Sequence, residues 1–494
     1  MALPERIAAL PDYVASSSVQ PFVDAAPGHR FLLYFRSWQG QGSAPFVVYK
    51  GKVRVSQGLT RDQKKIEEDH LKQHFDSTLR EVCPFGNSAL QQVRALRGRQ
   101  TALASALATT AWSRLATSTA PFATGLGNEH PIENGFAFLT PYGLPYLAGS
   151  GVKGVMRRAA EELVLEAPDS GWTWLDIWWL FGFEGAAGAV WDDGTDFGRA
   201  FKRDLPALAE RDDLRQFIEA SVTNVPERAR YLDDKHDRRA DFLQRLVSDK
   251  SWRQSVHMRG ALDFWDVFPE PAENRQKRVE MVVEIMTPHQ TGYYQGKETP
   301  HDAGQPTPVS FLALPAGSAF DFHIVCNESR LPASLASRWN ELLDDAAAHA
   351  FDWLGFGAKT AVGYGAMSES GASRARRQSA KVSAQADAER ALAAASEARM
   401  PPEERERLRN MTAIEAFRVD FETARKSAFN PGGTFGQKRN EFMTLALSWT
   451  DPISRVAAGE LLRGTASKNW GTPGNKDAKQ KLLDSVALLS GVGA

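Results

Sequence analysis

Apolar positions recur along this chain at two spacings, and the change from one to the other sketches its elements. Leu335, Trp339, Leu342, Leu343, Ala346 and Ala350 stand three or four apart and predict a helix over about 333–354, closed by Gly355. Phe320, Phe322 and Ile324 alternate with Asp321 and His323, so AFDFHIV from Ala319 predicts a strand with one face buried. Strands are also expected in ALDFWDVF from Ala261, VEMVVEIM from Val279, VSFLAL from Val309 and the apolar run Phe31–Trp38. AWSRLATSTAPFAT from Ala111 suits an extended segment running into the turn-rich GLGNEHPIENG. Val152, Val155, Met156, Ala159 and Leu163 mark an amphipathic helix that Ser150 can cap. Polar helices are expected over about 60–79 and 89–107.

From Ala111 onward the elements run β, α, β, β, α, β, the order of the ferredoxin-like fold of RNA-recognition motifs. The expected class is therefore α+β, with a ferredoxin-like (RRM-like) core over 111–367 after an N-terminal α/β region over 1–110. A charged, helix-rich stretch from about 184 to 258 reads as an insertion serving as a lid or docking surface. Residues 368–404 turn to Ala, Ser, Arg and Gln, a solvated linker, and 405–494 carry patterns for a small helical appendage. No period repeats along the chain, which argues against a solenoid.

Composition narrows the class without choosing a function. Hydrophobic residues make up 43% and charged residues 24%, ordinary usage for a folded globular chain. No apolar run approaches a membrane span, and MALPERIAALPDYV lacks the basic and apolar parts of a secretory signal, so no membrane association and a cytoplasmic location are expected. Two cysteines, Cys83 and Cys326, leave no zinc module or disulfide framework and suit small buried positions. With 59 Lys and Arg against 60 Asp and Glu, any basic site has to be local.

Two glycine-rich segments carry the candidate chemistry. GFGAKTAVGYG sets Gly355, Gly357, Gly363 and Gly365 around Lys359 and Thr360, so backbone can approach phosphate closely while lysine supplies charge. Ala358 before Lys359 rules out a Walker loop, Thr360 breaks the dinucleotide-binding spacing, and a structural turn is an equal reading. The second segment, Gly149 to Gly154, puts Ser150 and Lys153 at a helix start with Arg157 one turn on, a place that favours an anion. Taken alone, Lys153 and Arg157 fit a solvated helix face better.

Other polar groups offer less. His130, in a loop with Glu129 and Glu133, is the best general acid or base among ten histidines, although a hydrogen-bonded loop anchor is the simpler reading. His70 and His74 stand one helical turn apart without a third ligand. His289, Tyr293, Tyr294, His301 and Asp302 share one long connection whose tyrosines suit either base stacking or packing under the loop. Asp263 and Asp266, three apart on a strand, face opposite sides and form no metal pair. No cofactor fingerprint, nucleophile elbow or metal set emerges, so no cofactor is expected.

The segments TGLGNEHPIENGF, GLPYLAGSGVKGVMR, GALDFWDVFP, MTPHQTGYY and GFGAKTAVGYG occur in an order that resembles RAMP-superfamily proteins, over about Ser113 to Met367. HPIENGF with the later TPH is similar to the family of sixth subunits of the type III-B CRISPR (Cmr) effector complex. The resemblance implies a non-catalytic RNA-binding subunit, not an enzyme, holding the 3′ part of a CRISPR RNA at one end of a protein–RNA filament in antiviral defence. Its implied partners are that RNA, other RAMP subunits of the complex and, indirectly, target RNA, whose cleavage falls to a repeated backbone subunit. Carried onto this chain, Ser150, Lys153, Arg157, Gly357, Lys359, Thr360, Gly363 and Tyr364 become contacts to the guide RNA, and the loop around His130 becomes structural or RNA-facing. The N-terminal region, the 184–258 insertion and the C-terminal appendage depart from the pattern. The alternative is a metal-independent ribonuclease of the same superfamily that processes precursor CRISPR RNA with His130 as base, because such cleavage uses the 2′-hydroxyl and needs no metal. A phosphate-binding metabolic enzyme is a third class.

Overall fold

A computed structural model describes residues 22–35, 77–130, 134–167, 170–186, 188–232, 237–287, 308–375, 400–426, 434–465 and 476–491, with shorter pieces elsewhere. The chain is a mixed helix-and-sheet protein of the α+β class, divided into two compact units, Met1–Ala375 and Arg376–Ala494.

The first unit opens with a short helix, α1 (Pro27–Leu32), where a strand was expected over Phe31–Trp38. Pro27 explains the difference, since its fixed φ preorganises the first turn of a helix. Within that run strand structure begins only at Trp38. Helix α2 (Asn87–Ala106) matches its expected span, whereas most of the helix expected over 60–79 lies outside the described residues. Next come strand β1 (Ala111–Ser118), helix α3 (Gly149–Glu166) and the aromatic helix α4 (Trp174–Phe181). The charged stretch that follows forms α5 (Asp196–Ala209), α6 (Asp213–Ser221) and α7 (Arg239–Ser248). Its apolar positions belong to the core. Phe201, Phe217 and Phe242 are fully buried in the same apolar cluster as Trp174 and Trp178, with ring centroids 5.7 Å from Trp178 to Phe201 and 5.1 Å to Phe217.

Beyond several short strands, the sheets that matter here add β2 (Leu262–Phe264), β3 (Val282–Met286), β4 (Val309–Ala313), β5 (Ala319–Cys326) and β6 (Met367–Glu369), with helix α8 (Trp339–His349) before β6. β3 and β4 pair as an antiparallel ribbon. The main sheet has the order β6-β1-β5-β2, each neighbouring pair antiparallel, with Ile324 of β5 between Trp112 of β1 and Phe264 of β2. α3 and α8 pack on each other. On one face of β5, Phe320 meets Phe122 at 5.0 Å, and Phe322 meets Phe351 and Phe356 at 5.5 and 4.9 Å.

The other face of β5 is covered as well, contrary to the one-sided burial that its alternation predicts. Arg97 of α2 forks onto Asp321 with bonds of 3.0 and 2.8 Å and also pairs with Glu270, while Ser113 Oγ lies 2.8 Å from His323 Nδ1. A polar face can therefore be buried where a neighbouring helix supplies matched charges. Burial lowers the His323 pKa.

In the second unit, helices α9 (Pro402–Lys426), α10 (Thr434–Leu447), α11 (Pro452–Gly464) and α12 (Lys476–Leu489) enclose Ile414, Phe417, Phe442, Ala446, Leu462 and Val486. Phe417 and Phe442 stack at 4.2 Å, and Asp451 caps α11 by accepting the Ser454 N–H at 2.9 Å.

Candidate nucleic-acid interface

The loop from Gly355 to Gly365 leaves α8 through a five-residue π turn, Ala350–Leu354. All four of its glycines take positive φ, 69°, 93°, 94° and 70° in order, a region costly for side chains with a Cβ. Two are fixed by close backbone approach: a Cβ on Gly357 would lie 2.3 Å from the Ala123 carbonyl, and one on Gly365 would lie 1.8 Å from that of Phe356. The Ala358 N–H donates to Ala123 O at 2.7 Å and the Gly365 N–H to Pro121 O at 2.8 Å, so the loop is braced on the segment leaving β1. Gly363 differs, being exposed with no atom within 4 Å of a Cβ position. A bulky substitution at Gly357 would thus report on folding, and one at Gly363 on access.

Lys359 also has a left-handed backbone, with φ 60°. Its ammonium lies 5.2 Å from the Phe311 ring centroid and 3.4 Å from Met286 Sδ, and among the described residues it pairs with no carboxylate. Thr360 opens a short turn and is half-buried. The Tyr364 hydroxyl donates to Glu284 at 2.8 Å, and burial together with that carboxylate pushes its pKa up to about 12. Its ring lies tilted on Phe311 at 5.5 Å, so Tyr364 ties the loop to the β3–β4 ribbon.

At the start of α3 the cap is Ala148, so Ser150 does not cap and instead stands exposed in the first turn. Asp266 does the work expected of Ser150: its carboxylate accepts the Gly149 N–H at 2.7 Å. The anion place at that terminus is therefore filled from within the chain. Asp263 turns elsewhere, pairing with Arg259 at 2.7 Å, so the two aspartates diverge as their spacing implies. Arg157 bonds Glu161 at 3.0 Å and the Gly182 carbonyl at 3.1 Å, and Arg158 pairs with Glu162 at 2.8 Å while lying over Phe197. Both are engaged in holding α3 to its surroundings. Lys153 remains, its pKa lowered by burial and by the charges of Arg157 and Arg259. Arg259, on the short strand His257–Arg259, joins this basic group although no local pattern marks it.

The two glycine segments do not meet in one pocket. Gly149 faces the carbonyl of Phe264, in the row of Trp112, whereas the loop sits beyond Ser118, which pairs with Met367. Six strand residues at about 3.3 Å each separate those rows by roughly 20 Å.

His130 lies under α1, half-buried. Its ring stacks on Phe31 at 3.7 Å and meets Phe35 edge-on at 4.8 Å, and its Nε2 donates to the Phe31 carbonyl at 2.9 Å. Burial pushes its pKa down to about 4. Of the long connection, Tyr293 is described and exposed, while His289, Tyr294, His301 and Asp302 lie outside the described residues, as do His70 and His74. Cys83 and Cys326 are buried thiols whose pKa values burial raises to about 12. Among the described residues no three His, Cys, Asp or Glu side chains gather as a metal site, and no helix is long and apolar enough to cross a membrane.

The Pyrococcus furiosus protein CRISPR system Cmr subunit Cmr6 is 27% identical to this chain over 258 residues, which span 50% of this chain and 64% of that relative. The chain thus matches less than two thirds of the relative's length. Among solved structures, a type III-B Cmr-beta complex bound to cognate target RNA aligns over 67% of this chain and 82% of its own at 13% identity, with a TM-score of 0.33. The crystal structure of Cmr6 from Pyrococcus furiosus aligns over 53% and 98% at 24% identity, with a TM-score of 0.25. Residues 116–368, just over half of the sequence, match the RAMP superfamily. Because that stretch runs from within β1 into β6, taking in the strands of the main sheet and both glycine segments, the chain belongs to the RAMP superfamily.

Proposed function

We propose that this chain is a non-catalytic RNA-binding subunit of a type III-B CRISPR effector complex, holding the 3′ part of the CRISPR RNA at one end of the filament. The observation that carries the reading is the RAMP-superfamily match over 116–368, joined by 27% identity to a Cmr6 protein. Other RAMP subunits of the complex are its partners, and target RNA is reached through the guide. The order β6-β1-β5-β2, with α3 and α8 packed together, supports a ferredoxin-like, RRM-like RAMP core over 111–367, with 405–494 as a helical appendage.

RNA-recognition motifs stack bases on their open sheet face, and here α2 covers that side of β5. RNA contact is therefore assigned to the margins, with Gly357, Lys359, Thr360 and Gly363 forming one foothold and Lys153 with Arg259 the other. Replacing Lys153, Arg259 and Lys359 together by glutamine should weaken single-stranded RNA binding whatever its sequence. Three lost phosphate contacts at about 0.7 each should reduce the slope of log K against log salt by roughly 2. Filter binding over a salt series checks this, and unchanged affinity in the folded variant would return these residues to a solvated surface.

His130 supports the absence of catalysis. A general base works best with a pKa near the working pH, and this imidazole, low-pKa and stacked on Phe31, is poorly suited to take a proton from a 2′-hydroxyl. A complex carrying His130→Phe, which keeps the stacking, should cleave target RNA at the wild-type rate. Loss of precursor or target cleavage with RNA binding intact would favour the ribonuclease reading.

A further inference from the structure

Trp353 is 78% exposed, whereas the other tryptophans whose side chains are described are buried or half-buried. Its exposure is not set by its place in the apolar pattern. Leu343, Ala346 and Ala350 are fully buried at helical spacing, and the next inward positions of a continuous α-helix are 353 and 354. The π turn changes this. Its closing bond runs from the Gly355 N–H to the Ala350 carbonyl five residues back, at 2.9 Å. One extra residue in a turn shifts the register by roughly 100°. Leu354 then packs partly against the core and Trp353 is turned outward. An indole is thereby held at the surface by a backbone irregularity of the kind that concentrates at functional sites.

What lies beyond Trp353 indicates the occupant. The chain passes directly into the Gly355–Gly365 loop, whose ends are tied by the Phe356 N–H donating to Gly365 O at 2.9 Å. That loop presents the open Gly363 and the ammonium of Lys359, which lies near the Phe311 face and the Met286 thioether and pairs with no carboxylate among the described residues. A flat apolar ring two residues before a loop whose backbone phosphate can approach, with a lysine that pairs with no carboxylate among the described residues, is the combination that recognises single-stranded nucleic acid, one base stacked and the adjoining backbone tracked. A protein partner would use the ring and have no need of the open glycine.

We propose that Trp353 is a stacking platform for one nucleobase of the bound RNA, adjoining the glycine-loop foothold; this rests on the RNA-binding reading above. The test is affinity of the full chain for an unstructured single-stranded RNA, and for the same backbone made abasic, with Trp353→Ala and Trp353→Phe. The alanine variant should bind the normal RNA about five-fold or more weaker, with the salt slope unchanged. The phenylalanine variant should keep most of the affinity, and wild type and alanine variant should bind the abasic strand alike. If wild type binds RNA and the alanine variant binds equally well, the platform is refuted while the RNA-binding reading stands. Equal losses on normal and abasic RNA would refute it too, by making the residue a support for loop shape. Loss of a co-purifying protein subunit with RNA affinity intact would assign Trp353 to protein docking and overturn the proposal. No RNA binding by wild type would remove the reading on which it rests.

Discussion

Replacing Asp176 by alanine should lower the unfolding free energy of the first unit by about 3–5 kcal/mol, the usual cost of breaking a buried ion pair on one side. Asp176 is 0% exposed. Its carboxylate accepts from Arg211 at 3.0 Å, Arg338 at 2.9 Å, and the Thr173 N–H and hydroxyl at 3.1 and 2.8 Å. It thus closes the capping box of α4 and joins that helix to the segments carrying Arg211 and Arg338. Alanine leaves Arg211 with Asp213, bonded at 2.9 Å through its Nε, and strands the remaining donors. Arg338 is more exposed and can turn to water, so Arg338→Ala should cost no more than about 1 kcal/mol. Urea unfolding of both variants, compared at equal m-values, measures the difference. A change below about 1 kcal/mol for Asp176→Ala would mean the network is not holding these elements together.

Acid should weaken the first unit through His130. The folded pKa is about 4 against an ordinary value of 6.5, so between those limits the unfolded chain carries a proton that the folded chain refuses. Stability therefore rises with pH across that window, is fully present above about pH 6.5, and is lost as pH falls toward 4. At 1.36 kcal/mol per pH unit the contribution is at most about 3 kcal/mol, and nearer 2 for a half-buried ring. His323, also lowered by burial, acts in the same direction, so the informative quantity is the difference between wild type and His130→Phe. That difference should change by about 2 kcal/mol between pH 7 and pH 4 in chemical unfolding series. A pH-independent difference would contradict the buried, neutral imidazole.

Elements whose apolar spacing is complete within one stretch were legible in the sequence: α2, β1, α3 and β5 stand where periodicity puts them. Features set by distant partners were not. The burial of Asp321 depends on Arg97, 224 residues earlier, and the capping of α3 depends on Asp266, 117 residues after Gly149. Phe31 was misread because an apolar run alone does not separate a short helix from a strand, and Pro27 carried the deciding signal. Of the candidate contacts, Lys153, Lys359 and Gly363 remain accessible, while Arg157 and Tyr364 have internal partners. Arg259 reaches Lys153 only through folding, and the outward turn of Trp353 comes from a π turn that side-chain periodicity does not encode.

The central claim is that this chain works as a guide-RNA-holding subunit within a larger assembly. The most direct measurement is affinity purification of the tagged full chain from its native cells, with sequencing of the bound RNA and identification of the accompanying proteins. The account predicts CRISPR-derived RNAs together with other RAMP subunits, both reduced in the Lys153, Arg259 and Lys359 triple variant at raised salt. A chain that purifies with no RNA above that of an untagged control, and without such subunits, would contradict it.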